Sequence, residues 1–264
     1  MKRSACKRFV LTLIGVVAFG LFVVWLAFWI PGLPGPLHGA YLARGSLYNI
    51  YGGLRCFNNT HGHLPPATST DAESGELATW RIECYRSFVS GGSITPLKTA
   101  ANKPIDYNYH KAWNDPENLQ LQGQAAYLFR YMQFDVALER NRGQYGIIYT
   151  TYYKAITGPD TAFDTSTPLN LKELPNDVVL VVRVEKSDTH WMEPGDLNIE
   201  QLTPSERTKQ LLLGKDGYVV LFADGEGWVL SDKTPLSDLC KFFTLAGAKQ
   251  FDREQVLGPY RVLP

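Results

Sequence analysis

The chain has 264 residues, of which 45% are hydrophobic and 20% charged, with 26 bases balancing 26 acids. That is too apolar for a disordered or low-complexity chain, and the length fits one core of about 200 residues or two small ones. The first eight residues hold four of the bases and none of the acids, so the rest of the chain has four more acids than bases. A mildly acidic domain without a Lys/Arg stripe argues against nucleic acid as a partner.

Residues 1–8, with Lys2, Arg3, Lys7 and Arg8, read as a cytoplasmic tail. Residues 9–30 follow as an unbroken apolar run, and no formal charge appears again until Arg44. As a helix this run spans about 33 Å at ~1.5 Å per residue, enough for a hydrocarbon core of about 30 Å. The expectation is a single-pass transmembrane helix in the inner (cytoplasmic) membrane. Its basic flank stays in the cytoplasm and puts the C-terminal domain on the periplasmic, extracytoplasmic side. The rival is a cleavable signal peptide, but such a core runs only about 7–15 residues and ends in a small-x-small site. Here Ala18-Phe19-Gly20 is the one passable triplet, and cutting there leaves ten apolar residues exposed.

Residues 31–36 (Pro-Gly-Leu-Pro-Gly-Pro) form a linker, because three prolines in six positions end a helix. A second helix is expected from Leu37 to about Phe57, with Leu42, Leu47, Ile50, Leu54 and Phe57 near a 3-to-4 spacing, although the pair Gly52-Gly53 weakens it. Asn58 to Gly62 should stop it. A short helix follows over 80–89, and Pro116-Glu117-Asn118 looks like the start of another that reaches Arg130. Four strands are expected at 145–154, 178–185, 218–223 and 227–230, rich in β-branched and aromatic residues. Asp224-Gly225 between the last two suits a type I′ hairpin turn. A helix over 236–245, N-capped by Thr234 with Pro235 at its first position, closes the chain. Helices first and an antiparallel meander second make an α+β domain over 37–264.

Chemistry is harder to find. The sequence has no G-x-S-x-G elbow, H-E-x-x-H, phosphate-binding glycine loop or Rossmann fingerprint, so neither a catalytic set nor a cofactor is expected. His61-Gly62-His63 lacks the carboxylate partners that would make it a metal site. Glu185, Asp188, His190, Glu193 and Asp196 form the most polar constellation. Asp188, Glu193 and Asp196 are a weak calcium candidate by their hard oxygens, against the alternative of a solvated acidic loop capped by Trp191. Asp160 should bind its own backbone in a turn. Cys56 and Cys84 are the disulfide candidate, the alternative being that they and Cys240 are small buried apolar side chains.

Six stretches carry a resemblance when taken in order: THGHLPPA (60–67), TWRI (79–82), DYNYHKAWNDPENLQL (106–121), TGPDTAF (157–163), VVLVVRVEKSDTHWMEPGDL (178–197) and VLFADG (220–225). Together they resemble the pilin-like, membrane-anchored proteins of planctomycete bacteria, a prepilin-type, pseudopilin-like domain of unknown function. The resemblance implies an N-terminal helix packed on an antiparallel β-sheet. It also implies a non-enzymatic cell-envelope protein acting in assembly or binding, with the membrane and other envelope or pilin-like proteins as partners. A tethered solute- or glycan-binding module is the alternative, its small-molecule ligand unknown, and an anchored hydrolase using the acidic loop is a third reading. The likeness breaks at the N-terminus. Val10, Leu11 and Gly15 stand where relatives carry the processed glycine, the phenylalanine and the glutamate that pairs with a neighbouring subunit's amine. The family's two cysteines fall at Ala43 and Tyr131. These departures imply an uncut anchor rather than a fibre subunit.

Overall fold

A computed structural model of the chain describes residues 38–262 apart from 71–72, 74, 76, 93–94, 97, 100–101, 124–149 and 165–167. The apolar run at 9–30, the linker at 31–36 and the N-terminal part of the strand expected at 145–154, with Tyr145 and Tyr149, therefore lie outside the described residues. Among the described residues no helix is long and apolar enough to cross a membrane.

The domain is α+β. Helix α1 (His38–His61) buries Ala40, Ala43, Leu47, Ile50, Leu54 and Phe57. Their 3-to-4 spacing keeps them on one stripe. Leu42, expected on that stripe, is only half-buried, and Ala43 takes its place. The helix also runs a turn beyond its expected stop. Asn58 is buried there, where its Oδ1 accepts from Leu171 N at 2.9 Å and its Nδ2 donates to Asn170 at 3.4 Å. Thr60 Oγ1 donates back to Cys56 O, and Gly62, at φ +82°, ends the helix by donating to Asn58 O. A left-handed glycine just past the last turn is the usual way to satisfy the closing carbonyls.

A small antiparallel ribbon, β1 (Thr68–Thr70) with β2 (Leu77–Thr79), leads directly into α2 (Trp80–Ser90). The helix expected from Pro116 is a single described turn, α3 (Pro116–Leu119), capped by Asp115, whose side chain accepts from Glu117 N. Five strands make the main sheet: β3 (Tyr153–Thr157), β4 (Val179–Arg183), β5 (Leu197–Asn198), β6 (Tyr218–Phe222) and β7 (Gly227–Leu230). Their order is β5-β3-β4-β6-β7. The core β3-β4-β6-β7 is antiparallel, as expected, but β5 adds to the edge of β3 in parallel, so the sheet is mixed.

Both faces of this sheet are covered, which explains why β4 and β6 are buried throughout and read as unbroken apolar runs. Tyr153, Ala155, Val219, Leu221 and Val229 pack with α1 and α2. Tyr218, Val220, Phe222, Trp228 and Leu230 face the C-terminal helices, together with Val179 and Val182. A register shift between Val179 and Val181 puts consecutive residues Leu180 and Val181 on the α1 side. The opposite layer contains α4 (Glu206–Leu212), α5 (Leu236–Cys240), a 3-10 turn at Lys241–Phe243, α6 (Leu245–Gln250) and α7 (Arg253–Val256). The single closing helix expected over 236–245 is thus broken at Thr244, which is extended and caps α6 by accepting from Gly247 N. Pro235 itself is the N-cap of α5, while Thr234 Oγ1 donates to Ser231 O.

The β6–β7 connection is not a type I′ turn, since only Gly225 has positive φ, at +91°. Gly225 N donates to Phe222 O and Phe222 N to Glu226 O, which is a type I turn followed by a left-handed glycine.

Where α1 crosses α2, Gly53 leaves no room: a Cβ there would lie 2.8 Å from Cys84 Cβ and 2.9 Å from Phe88 Cε2. Exposed Gly45, eight residues earlier on the same helix, has nothing within 4 Å. Gly53→Ala is therefore expected to destabilise the protein by about 1–3 kcal/mol through overpacking. Gly45→Ala should stabilise it by roughly 0.5–1 kcal/mol through helix propensity. Denaturant midpoints of the two variants should move in opposite directions, and equal shifts would contradict this crossing.

Candidate functional site

The acidic stretch after β4 folds onto the N-terminus of α2 around one side chain that the sequence did not single out. Arg81 is fully buried. Its Nε donates to Trp191 O at 2.8 Å, Nη2 to Glu193 O at 2.9 Å, and Nη1 to Asp196 Oδ1 at 2.8 Å and Tyr153 O at 3.4 Å. Asp196 Oδ1 also accepts from Trp80 Nε1 at 3.1 Å and from the backbone N–H of Ala155 at 2.8 Å. A single carboxylate oxygen thus joins α2, β3 and the loop before β5. The other oxygen, Oδ2, is buried without a hydrogen bond.

Two further side chains respond to this arrangement. Lys154, on β3, is buried and donates from Nζ to Gly195 O at 2.5 Å. Burial, and then the nearby Arg81 guanidinium, bring its amine down to about 8, with Asp196, Glu193 and Asp188 opposing the shift. His190 stacks on Trp113 at 5.0 Å between ring centroids and accepts from Met192 N through Nδ1. Burial and Arg81 hold its imidazole down at about 4, so it is neutral at pH 7. Glu193 closes the turn by accepting from His190 N through Oε2, and Trp191 Nε1 donates to Gln122 O.

This geometry corrects the calcium reading of Asp188, Glu193 and Asp196. Asp196 points inward to a guanidinium, Glu193 is committed to its own loop, and two cations already occupy the surroundings. Among the described residues no group of three or more His, Cys, Asp or Glu side chains comes together to hold a metal. His61 and His63 both pack on Phe57, at 4.0 and 5.8 Å between ring centroids, and His63 Nδ1 lies 2.7 Å from Leu64 O. Asp160, at φ +58°, does not bind its own turn but accepts from Ala246 N, anchoring the start of α6.

Cys56, Cys84 and Cys240 are all free thiols, so the expected Cys56–Cys84 bond is not formed. The Cys84 sulfur lies instead against Gly53, 3.2 Å from where a Cβ would stand. Burial, then the neighbouring Glu83 carboxylate, pushes the Cys84 thiol well up, and burial takes Cys240 up to about 12. Both are therefore poor nucleophiles. Of the tyrosine cluster, Tyr153 is buried and only Tyr152 among its described neighbours is partly open. Among the described residues the large exposed hydrophobics are Tyr41 (57%) and Tyr48 (52%), seven apart on the outer face of α1.

The Arg81 cluster closes the fold and offers no open reacting group. The signals that led to the loop were its carboxylates. The one that organises it, an arginine in an otherwise apolar Trp-Arg-Ile, has partners more than a hundred residues away. No family model matches the chain, and neither a curated protein nor a solved structure matches it.

Asp196→Ala leaves the Arg81 charge buried without its counter-ion and should cost about 3–5 kcal/mol in unfolding free energy by chemical denaturation. A loss below 1 kcal/mol would contradict the hub. Lys154 gives a separate pH signature. Its folded value lies below its unfolded one, so between about pH 8 and 10.5 the unfolded state holds a proton that the folded state has released. Stability from this group therefore rises with pH across that window and is flat below it. Measured against Lys154→Met, wild-type stability should gain through that range; a constant difference would rule the shift out.

Proposed function

We propose that the chain is a non-enzymatic, single-pass, pseudopilin-like protein of the cell envelope. Residues 9–30 anchor it in the inner membrane with the N-terminus in the cytoplasm, and the exported domain acts in assembly or binding. The observation that supports this reading best is the pairing of a 24-residue helix with a sheet, the buried stripe of α1 lying on β3, β4, β6 and β7. That helix begins eight residues after the apolar run ends. Its outer face carries Tyr41 and Tyr48, aromatic area that folding does not consume and that suits contact with envelope or pilin-like partners.

Fibre building is not part of the proposal. Gly15 offers no carboxylate to offset a neighbouring amine in hydrocarbon, where a lone charge is expensive. A hydrolase built on the acidic loop is disfavoured because Asp196 is committed to Arg81.

The test is fractionation of cells expressing the full chain, followed by intact mass. The protein should stay in the membrane pellet through high-salt and alkaline washes, at full length, with the folded domain open to protease only from outside the cytoplasmic membrane. Recovery in the soluble fraction, or a mass showing cleavage after Val10 or Gly20, overturns the anchor.

A further inference from the structure

The face of α1 turned away from the sheet differs from the rest of the domain in charge as well as in its rings. All 26 acids of the chain lie beyond residue 70, so α1 carries Arg44 and Arg55 and no carboxylate. Tyr41, Tyr48 and Arg55 are exposed and fall seven residues apart, nearly two full turns, which puts them on one line opposite the buried stripe. Arg44 flanks that line, its guanidinium 5.8 Å from the centre of the Tyr48 ring.

Neighbouring acids do not cancel these charges. The β6–β7 turn comes up to the same helix, Gly225 beside Tyr51 and Gly227 beside Leu47 and Arg44. Its carboxylates, Asp224 and Glu226, are paired with Arg253 and Arg261. The outer line of α1 is therefore an aromatic and basic surface on an otherwise acidic domain.

The occupant of this surface follows from what lies next to it along the chain. Seven residues join Ile30 to the start of α1 at His38, and they reach at most about 25 Å when extended. The step rests on the membrane anchor proposed above: with residues 9–30 in the bilayer, that tether keeps the start of α1 near the headgroup layer. Tyrosine favours this layer, because its ring is apolar and its hydroxyl can stay wet, and arginine is drawn to anionic phosphates there. The acidic remainder of the domain is repelled by the same phosphates, so the tethered domain turns its acid-free helix toward them. A second copy fits the surface less well. In a two-fold contact this face would meet itself, with no carboxylate on α1 to pair with Arg44 or Arg55.

We propose that the Tyr41, Tyr48 and Arg55 face of α1 lies against the anionic headgroup layer of the membrane that holds residues 9–30, so that the domain docks on the lipid surface beside its own anchor.

The test uses the full chain in vesicles of phosphatidylethanolamine and phosphatidylglycerol. The photoreactive residue p-benzoylphenylalanine is placed at position 41 or 48 or, for reference, at exposed position 210 on α4, across the sheet from α1. Flotation of the vesicles reports the anchor, and intact mass after irradiation reports lipid adducts. Positions 41 and 48 should form adducts of phospholipid mass, and position 210 should not. High salt should lower the yield at position 48, and Arg55→Gln should lower it by up to about fivefold, the weight of one base at an anionic surface. Arg55→Gln should leave the melting temperature unchanged, which separates lost docking from lost folding. A chain that does not float with the vesicles overturns the anchor and the docking with it. A chain that floats but gives no lipid adduct at 41 or 48, gives as much at 210, or cross-links there to a second copy instead, overturns the docking alone. Yields that neither salt nor Arg55→Gln changes do the same.

Discussion

Everything around the β3–β5 edge depends on one buried guanidinium. Arg81 enters the core at the first turn of α2 and must find acceptors there, because a cation removed from water without partners costs several kcal/mol. It finds them in three carbonyls and one carboxylate oxygen drawn from two other segments. A hydrophobic residue at this position would demand less and specify less. The arginine forces residues 191–196 to return to α2, and that return sets β5 parallel to β3. Lys154 shares the interior with Arg81 beside Asp196, of which one oxygen serves Arg81, Trp80 and Ala155 and the other is buried without a hydrogen bond. Burial first, and the Arg81 charge second, make the lysine give up its proton more easily.

The middle of the sheet is held in a different way. β4 and β6 lie between two apolar layers, and α1 comes close enough to α2 that Gly53 touches Cys84 and Phe88. The contact that makes Gly53 obligatory is the reason a glycine pair sits in a long helix at all. Helix propensity alone counts against those glycines; tertiary contact explains them.

How much of this can be read from the residues follows from the range over which each feature is determined. β4, β6 and β7 are legible because strands buried on both faces are unbroken runs of Val, Leu and Phe. The stripe of α1 is legible for the same local reason. The last turn of α1 is not, because Asn58 stays helical only through Asn170 and Leu171 far along the chain. β3 is described over 153–157, three residues past its expected end, where Tyr153, Lys154 and Ala155 pair with Arg183, Val182 and Val181, partners that its own sequence does not show. β5, two residues long, has no period to detect. The carboxylates of 188–196 advertise a site, but one inward arginine decides that they serve the fold.

The far edge of the sheet repeats the solution found at the near one. Arg253 lies over the rings of Phe222 and Trp228, at 4.5 and 4.8 Å, and Arg261 covers Trp228 at 4.3 Å. Arg253 also reaches Asp224 in the β6–β7 turn at 2.6 Å and Asp177 at 3.4 Å. Val262 N donates to Val229 O and Ser231 N to Tyr260 O, so the chain end covers the outer strand that would otherwise offer bare backbone to another molecule. Arginine thus secures both margins, and apolar packing fills the interval. With both sheet faces and the β7 edge committed to the fold, strand addition at that edge is a poor route to another molecule.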